Sequence, residues 1–180
     1  IMQFSSNWFY GGKVLTAPEV EHRGILDYDC PMQWIDTPLE GAHEEFVGES
    51  FGRVNRQEAK LCVQTLRDYY MKIGRARALD EQIDVGVISP YRAQVQYLRQ
   101  LVRSDEWLRP LRRLITINTV DGFQGQERDI IIISLVRAND DGQIGFLADL
   151  RRMNVAITRA RMKLIIIGNA DTLARHKFYK

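Results

Sequence analysis

The sequence predicts a three-layer α/β domain: a parallel or mostly parallel sheet with helices on both faces. Three observations carry that expectation. Strand-length runs such as Val85–Ile88, Ile130–Ile133 and Leu164–Ile167 are almost continuously apolar instead of alternating, so both of their faces must be covered. Segments with apolar residues at helical spacing lie between them. A chain of 180 residues with 45% hydrophobic content is long enough for one substantial core.

In chain order, residues 1–52 read as an irregular lead-in punctuated by Gly11-Gly12, Pro18, Pro31 and Pro38, with one short strand near Trp34 to Thr37. The aromatic cluster Trp8, Phe9, Tyr10 is expected to pack on this domain or on a neighbour. Residues 53–180 form the predicted domain. Asn55 followed by Glu58 resembles a capping box, and Ala59, Cys62, Val63, Leu66 and Tyr70 then recur at helical spacing, predicting a helix from Arg56 to Ile73 that ends at Gly74. Val85–Ile88 is a strand. Ser89 is placed to cap the next helix, with Pro90 in its first turn and Ala93, Val95, Leu98, Leu101 and Val102 on its apolar face. Strands follow at Leu114 to Thr119 and Asp129 to Val136, then a helix from Asp149 to Thr158 running into Arg159-Ala160-Arg161. A last strand, Leu164 to Gly168, ends in a Gly168-Asn169 turn.

Composition narrows the function classes. Lys and Arg number 25 against 23 Asp and Glu, a net charge of +2, so any basic surface must be local. Cys30 and Cys62 form no Cys-x-x-Cys pair, which leaves no zinc motif or disulfide framework to read and fits two thiols in a reducing compartment. No run approaches the length of a membrane span. These features predict an intracellular protein, cytoplasmic or, in a eukaryote, nuclear. Ile1 is not an initiator methionine and Met2 to Tyr10 lacks a signal-peptide pattern, so the chain reads as part of something longer.

Ligands of parallel α/β sheets bind beyond the carboxyl ends of the strands, which directs attention to the residues just after each strand. Ser89-Pro90-Tyr91-Arg92-Ala93-Gln94 joins free backbone N–H groups at a helix start to an arginine; a phosphate backbone suits it, and so does simple helix capping. The stretch Asn118 to Asp129 is dense in polar groups, with a hydroxyl at Thr119, amides at Gln124 and Gln126 and a carboxylate at Glu127. Gly122 and Gly125 by themselves fit any turn. On the helix from Asp149, Leu150, Met153 and Ile157 share one face and Arg152 and Arg159 the opposite one, which fits either a solvated basic face or a charged contact.

The order and spacing of three blocks resemble superfamily 1 helicases of the branch containing the Upf, Sen and Smubp-like enzymes. The blocks are Ser-Pro-Tyr-Arg-Ala-Gln at 89–94, Thr-Val-Asp-Gly-Phe-Gln-Gly-Gln-Glu at 119–127 and Asn-Val-Ala-Ile-Thr-Arg-Ala-Arg at 154–161. Phe4 to Gly12 resembles the stretch that follows the family's Gln-Tyr-Arg-Met-His-Pro motif, so the likeness spans nearly the whole chain. The resemblance implies the second RecA-like motor domain, a P-loop NTPase fold without its own P-loop. It implies that Arg159 reaches the γ-phosphate of ATP and that Glu127, Gln124 and Gly125 line the nucleotide cleft, with Arg159 and Glu127 the catalytic pair. Ser89, Pro90, Tyr91 and Thr119 would touch the backbone of single-stranded DNA or RNA, while Arg152 and Asn154 would shape their motif. Travel would run 5′ to 3′.

The Gly-x-x-x-x-Gly-Lys-[Ser/Thr] loop that cradles phosphates is absent from the sequence; Gly11-Gly12-Lys13-Val14 has neither its spacing nor its hydroxyl. ATP and its Mg²⁺ are therefore expected to be shared with a first RecA-like domain of the same polypeptide, which supplies the metal ligands, and this chain alone is expected to be inactive. The competing reading is a non-catalytic nucleic-acid- or partner-binding scaffold that uses Trp8 to Tyr10. A nuclease is disfavoured because Glu127-Arg128-Asp129 lacks the carboxylate and lysine set such a site requires.

Overall fold

Alternate residues of the apolar runs turn to opposite faces of one sheet, and each face is covered. The computed structural model describes residues 1–20, 23–38, 40–48 and 52–180. In chain order the elements are α1 (Met2–Phe9), β1 (Met32–Asp36), β2 (Glu45–Val47), β3 (Gly52–Val54), α2 (Arg56–Ile73), α3 (Arg75–Asp80), β4 (Val85–Ile88), α4 (Arg92–Ser104), β5 (Ile115–Asn118), β6 (Arg128–Ser134), α5 (Leu150–Ile157), β7 (Ala160–Gly168) and α6 (Ala170–Leu173). Short 3₁₀ turns lie at Pro18–Val20, Arg109–Leu114, Asp121–Phe123 and Gly145–Ala148.

The main sheet has the order β1-β7-β6-β4-β5, and all its pairs are parallel. Ile130, Ile132, Ile165 and Ile167 face a layer built on α2 and α4, through Leu66, Tyr70 and Leu98. Ile131, Ile133, Leu164 and Ile166 face Phe123, Met153, Ile157 and Phe178 on the other side, with Phe4 and Phe9 of α1 packed against them. Burial of each such side chain contributes about 1.5–3 kcal/mol, which is why the runs carry no alternation. This is the three-layer, RecA-like arrangement the sequence implies, and its parallel character is complete.

Residues 1–52 carry more regular structure than expected. The strand near Trp34 is β1, which closes one edge of the main sheet with Trp34 opposite Ile166. Met2–Phe9 is a helix with no side-chain N-cap. Its support is tertiary: the rings of Phe4, Trp8 and Phe9 lie 5.7, 5.2 and 5.8 Å from that of Phe178. Propensity and capping signals cannot report such contacts, so the local sequence looked irregular.

Two local expectations are corrected. Asn55 does cap α2, accepting from the Glu58 N–H at 3.0 Å, and Gly74 with φ of 89° ends that helix. The reciprocal half of the capping box is missing, because the Asn55 N–H already donates to Gln94 Oε1 at 2.9 Å. Glu58 turns inward instead, accepting from Ser134 Oγ at 2.6 Å and the Val136 N–H at 2.8 Å. Ser89 does not cap α4 either. Its N–H donates to the Asn118 carbonyl at 3.3 Å, and its buried Oγ has no hydrogen-bond partner among the described residues. A residue before proline avoids the helical region, which keeps Ser89 out of the helix; the chain bends at Pro90, and α4 begins at Arg92 behind an extended Tyr91.

Candidate functional site

Beyond the carboxyl ends of β4 and β5 lies an open cleft of about 870 Å³. Pro90, Tyr91, Arg92, Ala93 and Gln96 form one wall, Thr119 and Asp121 a second, and Phe146 with Arg152 a third; Val47, Gly48 and Gly52 close it from the β2–β3 side. Three of the four residues expected at a nucleic-acid backbone, Pro90, Tyr91 and Thr119, are therefore brought together. Ser89 is not among them, being fully buried beneath.

The cleft wall is braced from below. Tyr91 is only 7% exposed, and its hydroxyl lies 3.5 Å from Nη1 of the buried Arg137. Arg137 donates through Nε to Glu44 at 2.9 Å, and Glu44 also pairs with Arg53 and accepts from the Ala138 N–H at 2.8 Å. Partnered on both sides, this buried carboxylate fixes the end of β6 to the strands that rim the cleft. Nearby, burial pushes the Glu58 carboxyl up to about 7, against the hydrogen bonds from Ser134 and Val136 that favour its ionised form.

Gln124, Gly125, Glu127 and Arg159 lie elsewhere. Glu127 immediately precedes β6 and Arg159 immediately precedes β7, so both stand at the amino ends of strands, opposite to the cleft. The expectation that all candidates follow strand ends is thus corrected. The reason is topological: residues 119–127 leave the carboxyl end of β5 and must return to the amino end of β6, two strands away, because the strands are parallel. Their crossing is pinned midway by Phe123, fully buried against Gly86 of β4, where an added Cβ would come within 2.8 Å of the ring. The helix α5 makes the same descent, from Arg152 in the cleft to Arg159 at the other end.

At that amino end, several charged side chains form ion pairs with one another. Glu127 pairs with Arg161 at 3.5 Å, Arg161 with Asp129 at 3.4 Å and Arg128 with Asp84 at 3.6 Å. Burial raises the pKa of Asp84, and the like charge of Asp129 adds to that rise, while a hydrogen bond from the Asp129 N–H opposes it. Arg159 has no carboxylate within 4.0 Å among the described residues. Its Nε donates to the Val155 carbonyl at 3.0 Å and its Nη2 to Thr158 Oγ1 at 3.3 Å. Gln124 and Gly125 are exposed on the stretch between Glu127 and the buried Phe123, Gly125 with φ of 75°.

Sequence reasoning missed several cleft residues. Arg152, expected to shape its motif, lines the cleft and lies 3.7 Å from Asp121 and 3.6 Å from Asp149. Phe146 and Gln96 carried no motif signal; Phe146 sits among Ile144, Leu147 and Ala148, where an aromatic reads as one more core residue. Asn154 ties α5 to α1 by accepting from Ser5 Oγ and donating to Tyr10 at 3.1 Å. Among the described residues, no helix is long and apolar enough to cross a membrane.

Comparison with known proteins adds a family to this geometry. The AAA_12 family model, described as an AAA domain, matches residues 1–171. The chain is 34% identical over 194 residues to DNA polymerase alpha-associated DNA helicase A of Saccharomyces cerevisiae, covering 97% of this chain and 26% of that protein. It is 39% identical over 186 residues to the Regulator of nonsense transcripts 1 homolog of Drosophila melanogaster, with 99% and 15% covered. With Helicase SEN1 of Saccharomyces cerevisiae it shares 34% identity over 196 residues, covering 100% and 8%. The chain thus spans about a quarter or less of the length of these relatives.

Proposed function

The chain belongs to the AAA_12 family, and from that premise we propose that it is the C-terminal, second RecA-like motor domain of an ATP-dependent DNA or RNA helicase or translocase. The observation that carries the reading is that residues 119–127 run from the carboxyl end of one sheet to its amino end, so the candidate residues fall into two groups at opposite ends. Thr119, in the carboxyl-end cleft, and Glu127, at the amino end beside Arg159, are the two ends of residues 119–127.

In this reading the cleft holds the phosphate backbone of a single strand, with Pro90, Tyr91 and Thr119 positioning it and Arg92 and Arg152 supplying positive charge. Ser89, buried, would support that wall from beneath. Such contacts are salt-dependent and indifferent to sequence. The amino end faces a first motor domain of the same polypeptide. ATP with Mg²⁺ supplies the phosphoanhydride whose cleavage drives the cycle. The residues present fit it: Arg159 carries a guanidinium with no acidic partner, and the N–H groups of Gly125 and Glu127 make no hydrogen bond among the described residues. Arg159 would stabilise charge developing on the γ-phosphate, a role worth about 10³–10⁵ in rate when an arginine is brought in from a second domain. Gln124, Gly125 and Glu127 would line the same edge, Glu127 holding Arg161 in place. Residues 53–180 would carry the working surfaces, with 1–52 adding the edge strand and the α1 brace.

The metal ligands and phosphate cradle would come from the first domain, so this chain alone would not turn over ATP. The test is nucleic-acid-stimulated ATP hydrolysis and salt-dependent single-strand binding by the full-length gene product. Absence of both would refute the reading, and so would hydrolysis by residues 1–180 alone.

A further inference from the structure

We propose that Phe146 is a nucleobase-stacking residue of the carboxyl-end cleft. The inference rests on the reading of that cleft as a single-strand site, and adds to it a contact with bases where the other residues serve the backbone.

Phe146 is a large apolar side chain left 61% exposed on the wall of a polar cleft. Its neighbours in the same turn are sunk into the domain, Ile144 at 8% and Leu147 at 1% exposure, so the outward ring is not the consequence of a loose loop. Gly145 makes this possible. It has φ of 53°, and a Cβ there would lie 2.1 Å from Nη1 of Arg137, so only glycine lets the turn press onto the braced wall. The ring is then held edge-on to Tyr91, with centroids 5.9 Å apart and planes at 69°. The Arg152 guanidinium stands 5.9 Å from the ring centroid, near the outer limit of a cation–π contact, and leaves most of the ring surface open.

A rigid, exposed aromatic beside cationic groups is the arrangement that single-strand sites use: charge tracks the phosphates while a π-face accepts a base of any identity. Arg152 stands beside Phe146, and Arg92 lines another wall of the same cleft. The edge contact with Tyr91 reduces the conformational freedom the ring has left to lose on stacking.

The test uses the full-length gene product, binding short oligothymidylate, oligouridylate and abasic strands of the same length and sugar. Wild type should bind the better of the two pyrimidine strands more tightly than its abasic counterpart. Phe146→Ala should weaken pyrimidine binding by roughly five- to a hundredfold and leave abasic binding unchanged, while Phe146→Trp restores the difference. A structural lesion would weaken both strands equally and would not be rescued by tryptophan. Equal binding of pyrimidine and abasic strands by wild type, or loss of both in Phe146→Ala, would overturn stacking while the backbone site stands. No binding of any strand by wild type would overturn the cleft reading itself.

Discussion

The backbone N–H of Arg128 donates to the carbonyl of Arg159 at 2.9 Å. That bond sets the end of the crossing segment 119–127 beside the exit of α5, so Glu127 and Arg159 become neighbours although 31 positions separate Arg128 from Arg159 in sequence. Both segments begin in the cleft, at Thr119 and at Arg152. On the proposed function, a bound strand that displaced either segment would act on the end that carries Arg159, to a degree set by how the segments are pinned to the sheet.

The pin under the crossing segment is the contact of Phe123 with Gly86. An alanine Cβ at 86 would lie 2.7 Å from Ile131 Cδ1 and 2.8 Å from Phe123 Cε1. Gly86→Ala is expected to destabilise the domain by about 1–3 kcal/mol through overpacking, read as a lower urea midpoint at unchanged slope. An unchanged midpoint would mean that Phe123 does not rest on β4.

The buried Glu58 predicts a pH dependence. Its pKa rises from 4.5 to about 7 on folding, so between those values the folded state binds more protons than the unfolded one, and stability falls as pH rises. Its contribution is complete below 4.5 and lost through about 7, a change of about 3 kcal/mol. Glu58→Gln keeps an acceptor for Ser134 and Val136, and should flatten the stability profile across that window. An identical slope in the variant would assign the dependence to other groups.

Arg92 is exposed on the cleft wall and has no carboxylate within 4.0 Å among the described residues. If it neutralises one phosphate of a bound strand, Arg92→Ala should reduce the log–log salt slope of single-strand binding by about 0.7. An unchanged slope would move the strand away from this wall.

Much of this was legible in sequence, and the exceptions share a cause. The five strands of the main sheet and the helix α4 are written in local apolar patterns, and the helices after Asn55 and Asp149 in apolar spacing together with a capping side chain. Helix α1 is held by Phe178, far away in sequence, and Glu58 turns inward because Gln94 has taken the N–H it would otherwise reach. Spacing along one segment cannot report either event. For the candidate site, the motifs named the right segments to inspect but not their arrangement: the separation of Thr119 from Glu127 across the sheet follows from strand order, which no motif encodes. Phe146 was invisible because an exposed aromatic is recognised only by its surroundings.

The central claim is that the two ends of the sheet do separate work, and the most direct measurement is Arg159→Ala in the full-length gene product, with turnover and single-strand affinity determined side by side. The account predicts a fall in kcat of about 10³–10⁵ with strand affinity in the absence of nucleotide unchanged. Full turnover, or loss of strand binding together with turnover, would contradict it.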